Sequence, residues 1–318
     1  MTLYRIVLTP VSPAASPLQS DTLFGAFCWS WLRRYGRESL ESELIAPSLD
    51  GAPPVIFSNA FPHGALPLPM GCYDPDNNFE KVSDKGERRA AYQRGKKLKN
   101  ARFVSLDAFE RIRRGDWRGF TASLCTEGGE SATTLHNMVS RESGTVERIE
   151  EAGSLFALDR HFYAPGQKLD CYTLTGIEAE RLEAVLNRMF ALGIGADKTV
   201  GCGAFRVEEL ASAASLLEPP DGANAFIALS NFLPAHSDPT DGWYQVFPKY
   251  PMLDRELAAS EYPFKKPLLF IKCGSVFRTD APRSWHGRCV TGIAAVEEPV
   301  TVNGCTIAVP ARIPPSVE

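Results

Sequence analysis

The chain has 318 residues, 44% of them hydrophobic and 23% charged, with a net charge of −4. That is the composition of a globular protein of one large or two modest domains, and it excludes a disordered or collagen-like chain. No apolar run reaches bilayer length and the first residues lack the layout of a signal peptide, so a cytoplasmic protein with no membrane partner is expected.

Eight cysteines are scattered without any CxxC spacing, which reads as small core hydrophobes rather than a zinc site. In chain order, LYRIVL (3–8) is a short strand ended by the proline-rich TPVSPAASP. A helix follows, with Ser20 as N-cap, Asp21 favoured by the helix dipole, and Leu23, Phe24, Phe27, Trp31 and Leu32 on one face. Gly36 is expected to end it. VIFSN (55–59) is the next strand. From about 72 to 150 the chain is polar and poor in apolar periodicity, which reads as an insertion, helical around AYQRGKKLK and SLDAFERIRRG. LFALDRHFY (155–163) and KLDCYTL (168–174), joined by Ala-Pro-Gly-Gln, read as a hairpin. Thr175 and Glu178 have capping-box spacing before a helix with Leu182, Val185, Leu186 and Met189 on one face. GIGADKTVGCGAF (193–205) then leads into a strand through Val207.

With the insertion set aside, the order is β-α-β-β-α-β, which fits a ferredoxin-like sheet with two helices on one face. Residues 211–224 read as a linker. The remainder is rich in strands and ends in PVTVNGCTIAVP, where Asn303-Gly304 signals a tight hairpin turn. The expected fold class is therefore α+β: an N-terminal ferredoxin-like (RRM-like) domain over 1–210 with a basic insertion at 72–150, and a degenerate copy over 225–318.

The charge is unevenly spread. Residues 81–118 hold thirteen Lys and Arg against five Asp and Glu, a local excess of +8 that leaves −12 for the rest. Such an excess is either an electrostatic footprint for phosphates or a solvated helix face.

The glycine stretch at 193–205 fails two nucleotide motifs. A dinucleotide fingerprint needs a third glycine at 198, where Lys stands, and a P-loop needs Gly rather than Asp197 before Lys198-Thr199. Both also need a loop that opens a helix, whereas this one follows a helix. It is either a structural turn or a loop whose backbone N–H groups and Lys198 meet phosphates. The five histidines show no metal spacing. His136, beside Asn137 in a turn-forming stretch, is the candidate that could touch RNA or act as a general acid or base.

Four blocks, LQSDTLFGAFCWSW (18–31), HNMVSRESGTVE (136–147), GIGADKTVGCGAF (193–205) and KKPLLFIKCGSVF (265–277), resemble in order and spacing the fourth subunits of the Csm complex. These are type III-A CRISPR effector subunits of the RAMP superfamily, related to the Cas5 group. The resemblance implies paired ferredoxin-like domains and a non-catalytic role in antiviral defence, without a cofactor. It implies binding of the 5′ tag of the crRNA, anchoring of the large Cas10-type subunit, contact with the backbone RAMP subunit, and only indirect contact with target RNA. Carried over, the RNA-facing positions are Ser20, Asp21 and Thr22 at the helix start, and Gly193, Gly195, Lys198, Thr199, Gly201 and Gly203 in the glycine loop. Arg94, Lys96, Lys97, Lys99 and Arg102 in the insertion follow, as in a thumb, with His136, Asn137 and Arg141 beyond them. Cys202 departs from the polar or basic residue expected there. Two alternatives stand beside this reading: a RAMP-type endoribonuclease using His136, and the equivalent subunit of a type III-B complex.

Overall fold

A computed structural model describes residues 1–72, 85–137, 144, 155–254, 257–258, 262–296 and 300–313. The elements in chain order begin with β1 (Thr2–Pro10), α1 (Ser20–Ser39), α2 (Ala46–Leu49), β2 (Val55–Pro62) and β3 (Ala65–Pro67). The inserted stretch supplies α3 (Lys85–Asn100), β4 (Phe103–Ser105), α4 (Leu106–Arg113), β5 (Leu124–Cys125) and β6 (Glu130–Asn137). Then come β7 (Leu155–Phe162), β8 (Leu169–Thr175), α5 (Ala179–Ala191) and β9 (Phe205–Ser212). The last part supplies strands β10 (Ala225–Ala228), β11 (Gly242–Trp243), β12 (Val246–Lys249), β13 (Leu268–Ile271), β14 (Val276–Arg278), β15 (Trp285–Val290) and β16 (Val302–Ala311).

The first sheet has the antiparallel order β2-β8-β1-β9, so the α1 and α5 crossovers each link strands that are not neighbours. Alternation along its strands divides the apolar residues between two faces. Ile6, Leu8, Val55, Phe57 and Cys171 pack beneath Phe24, Phe27 and Trp31 of α1 and Leu182, Leu186 and Phe190 of α5. Leu3, Ile56, Tyr172 and Leu174 belong to a second cluster with Ile227, Val276, Ile307 and Val309 of the second sheet, whose order is β11-β14-β10-β16-β15, and with Leu229 just beyond β10. Each face of the first sheet is thus covered, one by helices and one by the other sheet.

Several local expectations change. Gln19, not Ser20, is the N-cap of α1, because Ser20 is buried and its hydroxyl donates to the Asn231 carbonyl at 3.1 Å. Gly36 breaks α1, as expected, through a φ of +87°. The 155–163 and 168–174 stretches do not pair with each other. β8 is buried throughout and lies between β1 and β2, so neither of its edges is left for β7, which pairs with β6 from Glu130↔Phe162 to Asn137↔Leu155. The capping box is not formed: the Thr175 hydroxyl donates to Pro54 and accepts from Ile177 N–H, and Glu178 is itself the N-cap.

Asn303-Gly304 is no turn but lies inside β16, just after its start. The Asn303 amide donates to the Val55 carbonyl, and a Cβ at Gly304 would press on Leu233 at 2.6 Å. Glycine serves a close approach of chain segments there, not a reversal.

The inserted stretch is not wholly a surface feature either. Phe103, Val104, Phe109, Ile112, Trp117 and Phe120 are buried, and most of them touch the cluster shared by the two sheets. α4 is short, so its four buried positions do not stand out as a long periodic pattern. Between β9 and β10, residues 213–224 carry only a short 3₁₀ turn over Ala214–Leu217.

Candidate nucleic-acid interface

The glycine loop closes on itself. Ile194 N–H donates to the Gly203 carbonyl at 2.9 Å, and Cys202 N–H to the Asp197 carbonyl at 3.1 Å. A Cβ at Gly203 would overlap the Ile194 carbonyl, and one at Gly195 the Ser16 hydroxyl, so both glycines are set by internal contact as well as by positive φ. Gly193 is in the same position against the Cys202 carbonyl. Only Gly201 (φ +92°) faces open space, beside the exposed Thr199 and Val200. The structural reading therefore accounts for three of the four glycines, and an approach from outside is open at the tip, residues 199–201.

Lys198 does not point into solvent. It forms an ion pair with Asp254, reaching from the first part of the chain to the last. A second ion pair runs the opposite way: Lys249 on β12 donates to Asp21 at 2.6 Å and to the Gln19 side chain at 2.5 Å. Asp21 is only 6% exposed, so the pair lies largely out of water. Half-buried Lys265 sits near both acids. Burial pushes its ammonium pKa below the ordinary lysine range, and neighbouring Lys249 adds to this, while Asp21 and Asp254 oppose it. Among the described residues, three lysines thus face two carboxylates near the start of α1, a surplus of positive charge beside a helix N-terminus. Thr22 lies half-buried on the first turn.

Residues 12–19, read from the sequence only as a proline-rich break, are what bring these parts together. Ser12 Oγ accepts from Ala204 N–H at 2.9 Å, the Pro13 carbonyl accepts from Gly203 N–H at 2.7 Å, and Ser16 Oγ accepts from Ala196 N–H at 3.1 Å. Ala14 pairs with His161 of β7 through both backbone bonds, 3.0 and 2.8 Å. One short segment therefore joins the glycine loop, the helix start and the base of the β6–β7 ribbon. Arg160 of that ribbon donates to Asp197 at 2.8 Å, and this bond raises the guanidinium pKa further above its already high value.

Beside this segment lies an open cleft of about 1180 Å³, bordered by Ser16, Gln19, Arg102, His161, Tyr163 and Lys272 among others. Burial pushes the Tyr163 phenol up to about 12, so it stays a neutral hydroxyl at any physiological pH. Arg102 is exposed on the cleft wall, 3.8 Å from Glu127. The cleft offers cations, hydroxyls and aromatic edges together, the mixture that single-stranded nucleic acid uses.

The remaining expected residues lie elsewhere. Lys96 and Lys97 are exposed on α3, and Arg94 and Lys99 belong to the same helix. His136 and Asn137 end β6; His136 is hydrogen-bonded to the Thr134 hydroxyl at 3.0 Å and stacks on Phe156. Arg141 lies outside the described residues. Among the described residues no group of three His, Cys, Asp or Glu side chains is placed to hold a metal ion, and no helix is long and apolar enough to cross a membrane.

No family model matches the chain and no curated protein does so. Solved structures do. A chain of the Csm1–Csm4 cassette crystallised with pppApA is 20% identical, with a TM-score of 0.61 over 99% of this chain and 100% of that one. A chain of the cassette crystallised with cA4 is 18% identical, with a TM-score of 0.62 over 98% and 99%. A chain of the Csm3–Csm4 subcomplex of the type III-A CRISPR-Cas interference complex is 14% identical, with a TM-score of 0.60 over 98% and 100%. Csm4 is the subunit common to these assemblies, and this chain has the fold they share.

Proposed function

We propose that this protein is a non-catalytic RNA-binding subunit of a type III-A CRISPR effector complex, a Csm4-like subunit built from a ferredoxin-like domain and a second, helix-poor one. It holds the 5′ tag of the crRNA and anchors the large Cas10-type subunit. The observation that carries the reading is the meeting of two expected sites on one segment: residues 12–19 tie the glycine loop and the start of α1, together with the ribbon base, to a single polar and cationic cleft. The tag would run through that cleft, with phosphates toward Arg102, Lys272 and the lysines at the helix start, and bases against His161 and Tyr163. The fold neighbours add that chains of this shape occur in assemblies with Csm1 and with Csm3.

A non-catalytic role fits the surroundings of His136, whose described contacts are a hydroxyl and an aromatic ring rather than a second acid or base. The test is to express the chain with its partner subunits and a CRISPR array and to sequence RNA crosslinked to it. Crosslinks on the 5′ tag from peptides around 12–19, 94–102 and 193–203 are expected. Crosslinks spread along the guide, or absent, would refute the tag-binding role.

A further inference from the structure

The ribbon of β12 and β13 has two unlike faces. Along 246–253 exposure alternates residue by residue: Val246, Pro248, Tyr250 and Met252 are exposed, whereas Phe247, Lys249, Pro251 and Leu253 turn inward. Strand pairing places Leu269 opposite Pro248, and a bridge places Phe264 opposite Met252. The outward side chains are strongly exposed: Tyr250 71%, Leu269 65%, Phe264 61%, Met252 54% and Val246 52%. The inward face is committed, with Phe270 fully buried against Phe247 and Lys249 reaching Gln19 and Asp21.

We infer that this outward face is the surface on which the large Cas10-type subunit docks, an inference that rests on the assembly role proposed above. Isolated exposed apolar residues are ordinary, but these six adjoin. Together they expose on the order of 600 Å², at the upper limit of what monomer surfaces carry. A stable interface needs about 800 Å² from each partner, so the face supplies most of one. All six side chains are uncharged, and the exposed cation nearest them in the chain among the described residues, Lys266, donates to the Gly292 carbonyl at 3.3 Å, so the patch suits a protein partner better than RNA. Of the two protein partners, the large subunit is the one the proposed role has this chain anchor, and chains of this fold occur with Csm1 in two of the neighbours named above. Because Lys249 lies on the opposite side of the same strand, a partner pressing on the ribbon also braces the pair with Asp21 at the start of α1.

The test uses the full chain with the large subunit. Tyr250→Glu combined with Met252→Glu, and separately Leu269→Arg, should weaken capture of the large subunit at least ~10-fold while thermal unfolding and tag-RNA binding stay near those of the wild type. Hydrogen exchange on the unmodified chain avoids any folding defect in the variants. Peptides covering 246–252 and 264–269 should exchange at least ~10-fold more slowly once the large subunit is added. Unchanged capture by folded variants, or protection confined to other peptides, overturns the inference and leaves the assembly role standing. Loss of the backbone subunit alone, or wild-type self-association that protects the same peptides, also overturns it. A wild-type chain that captures neither subunit overturns the assembly role itself.

Discussion

Each part of the chain contains a clamp of the same design, and the two are set at different depths. In the first, Asp170 of β8 accepts from His63 Nδ1 at 2.8 Å and from the N–H of Gly64 at 2.8 Å. In the second, Asp238 accepts from His286 Nδ1 at 2.9 Å and from the N–H of Gly287 at 2.9 Å. Both aspartates are buried, but the His63 side chain is 47% exposed and the His286 side chain 3%. The His286 ring also lies flat on Phe226, with centroids 4.1 Å apart. The same His-Gly pair therefore serves a rim in one place and a core in the other. Identical local chemistry has unequal consequences because of what lies beyond it.

The glycines should separate the two clamps most. Both have positive φ, which costs an alanine about 1–2 kcal/mol by itself. At Gly64 (φ +71°) a Cβ would meet nothing, so Gly64→Ala should cost only that much. At Gly287 (φ +97°) it would overlap the Gly304 carbonyl of neighbouring β16. Neither backbone can yield within a paired strand, so Gly287→Ala should lose roughly 4 kcal/mol or fail to give soluble protein. Urea unfolding of the two variants reads the difference directly, and equal losses would mean that β15 and β16 are loosely paired.

Next come the histidines. His286→Ala removes a ring stacked in the core and leaves the Asp238 carboxylate short of a partner, so a loss of about 3 kcal/mol is expected. His63→Ala leaves Asp170 near water through the opened rim and should cost about 1 kcal/mol. Adding His63→Ala to His286→Ala should be additive, since the two clamps share no described partner.

The clamp at Asp238 also predicts an acid response. Burial pushes the carboxyl up, but the bonds from His286 and from the Ala235 and Gly287 N–H groups outweigh it, and its pKa is held below the ordinary 3.8. A depressed folded-state value contributes stability that is present above the unfolded value and lost as pH falls through the folded one. Asp238→Asn should therefore be less stable than the wild type by about 2 kcal/mol near neutrality. The gap should hold down to about pH 4 and close below it. Unfolding curves at pH 7, 5 and 3 measure this, and a gap independent of pH would assign the loss to packing instead.

These contrasts also explain what could be read from the sequence. α1 and α5 were legible because each lays a periodic apolar stripe on the first sheet, so local spacing and tertiary burial say the same thing. β16 was not: all ten residues are buried, its Asn303-Gly304 signal has a local meaning that long-range packing overrides, and no pattern in the chain announces the close approach of Leu233. At the candidate site, the glycines and the helix start could be found from residue types alone. The partners that complete it, Ser16, Lys249, Lys265 and Asp254, come from distant parts of the chain, and the bonded pair Gln19 and Lys249 alone is separated by 230 residues. Nothing in local composition links them.

The basic stretch raises the same question of local excess against tertiary use. Arg113 is buried and spends its guanidinium on Glu110 and on the Glu218 and Ser215 carbonyls, and Arg114 and Arg111 are paired with Glu110 and Asp116. These three arginines and their two acids account for only +1 of the +8 excess, so most of it sits on the other residues of the stretch. Lys96 and Lys97 are exposed on α3 in a position to meet phosphates, as are Arg88 and Arg89 on the same helix and Arg102 on the cleft wall. Replacing both by Ala should leave folding stability within about 0.5 kcal/mol, as for other surface changes. Binding of single-stranded tag RNA should weaken several-fold at low salt. The slope of log affinity against log salt should flatten by about 1.4, or roughly 0.7 for each phosphate contact removed. An unchanged slope would mean that α3 points these two lysines at solvent only, and that the other cations carry the electrostatic contact.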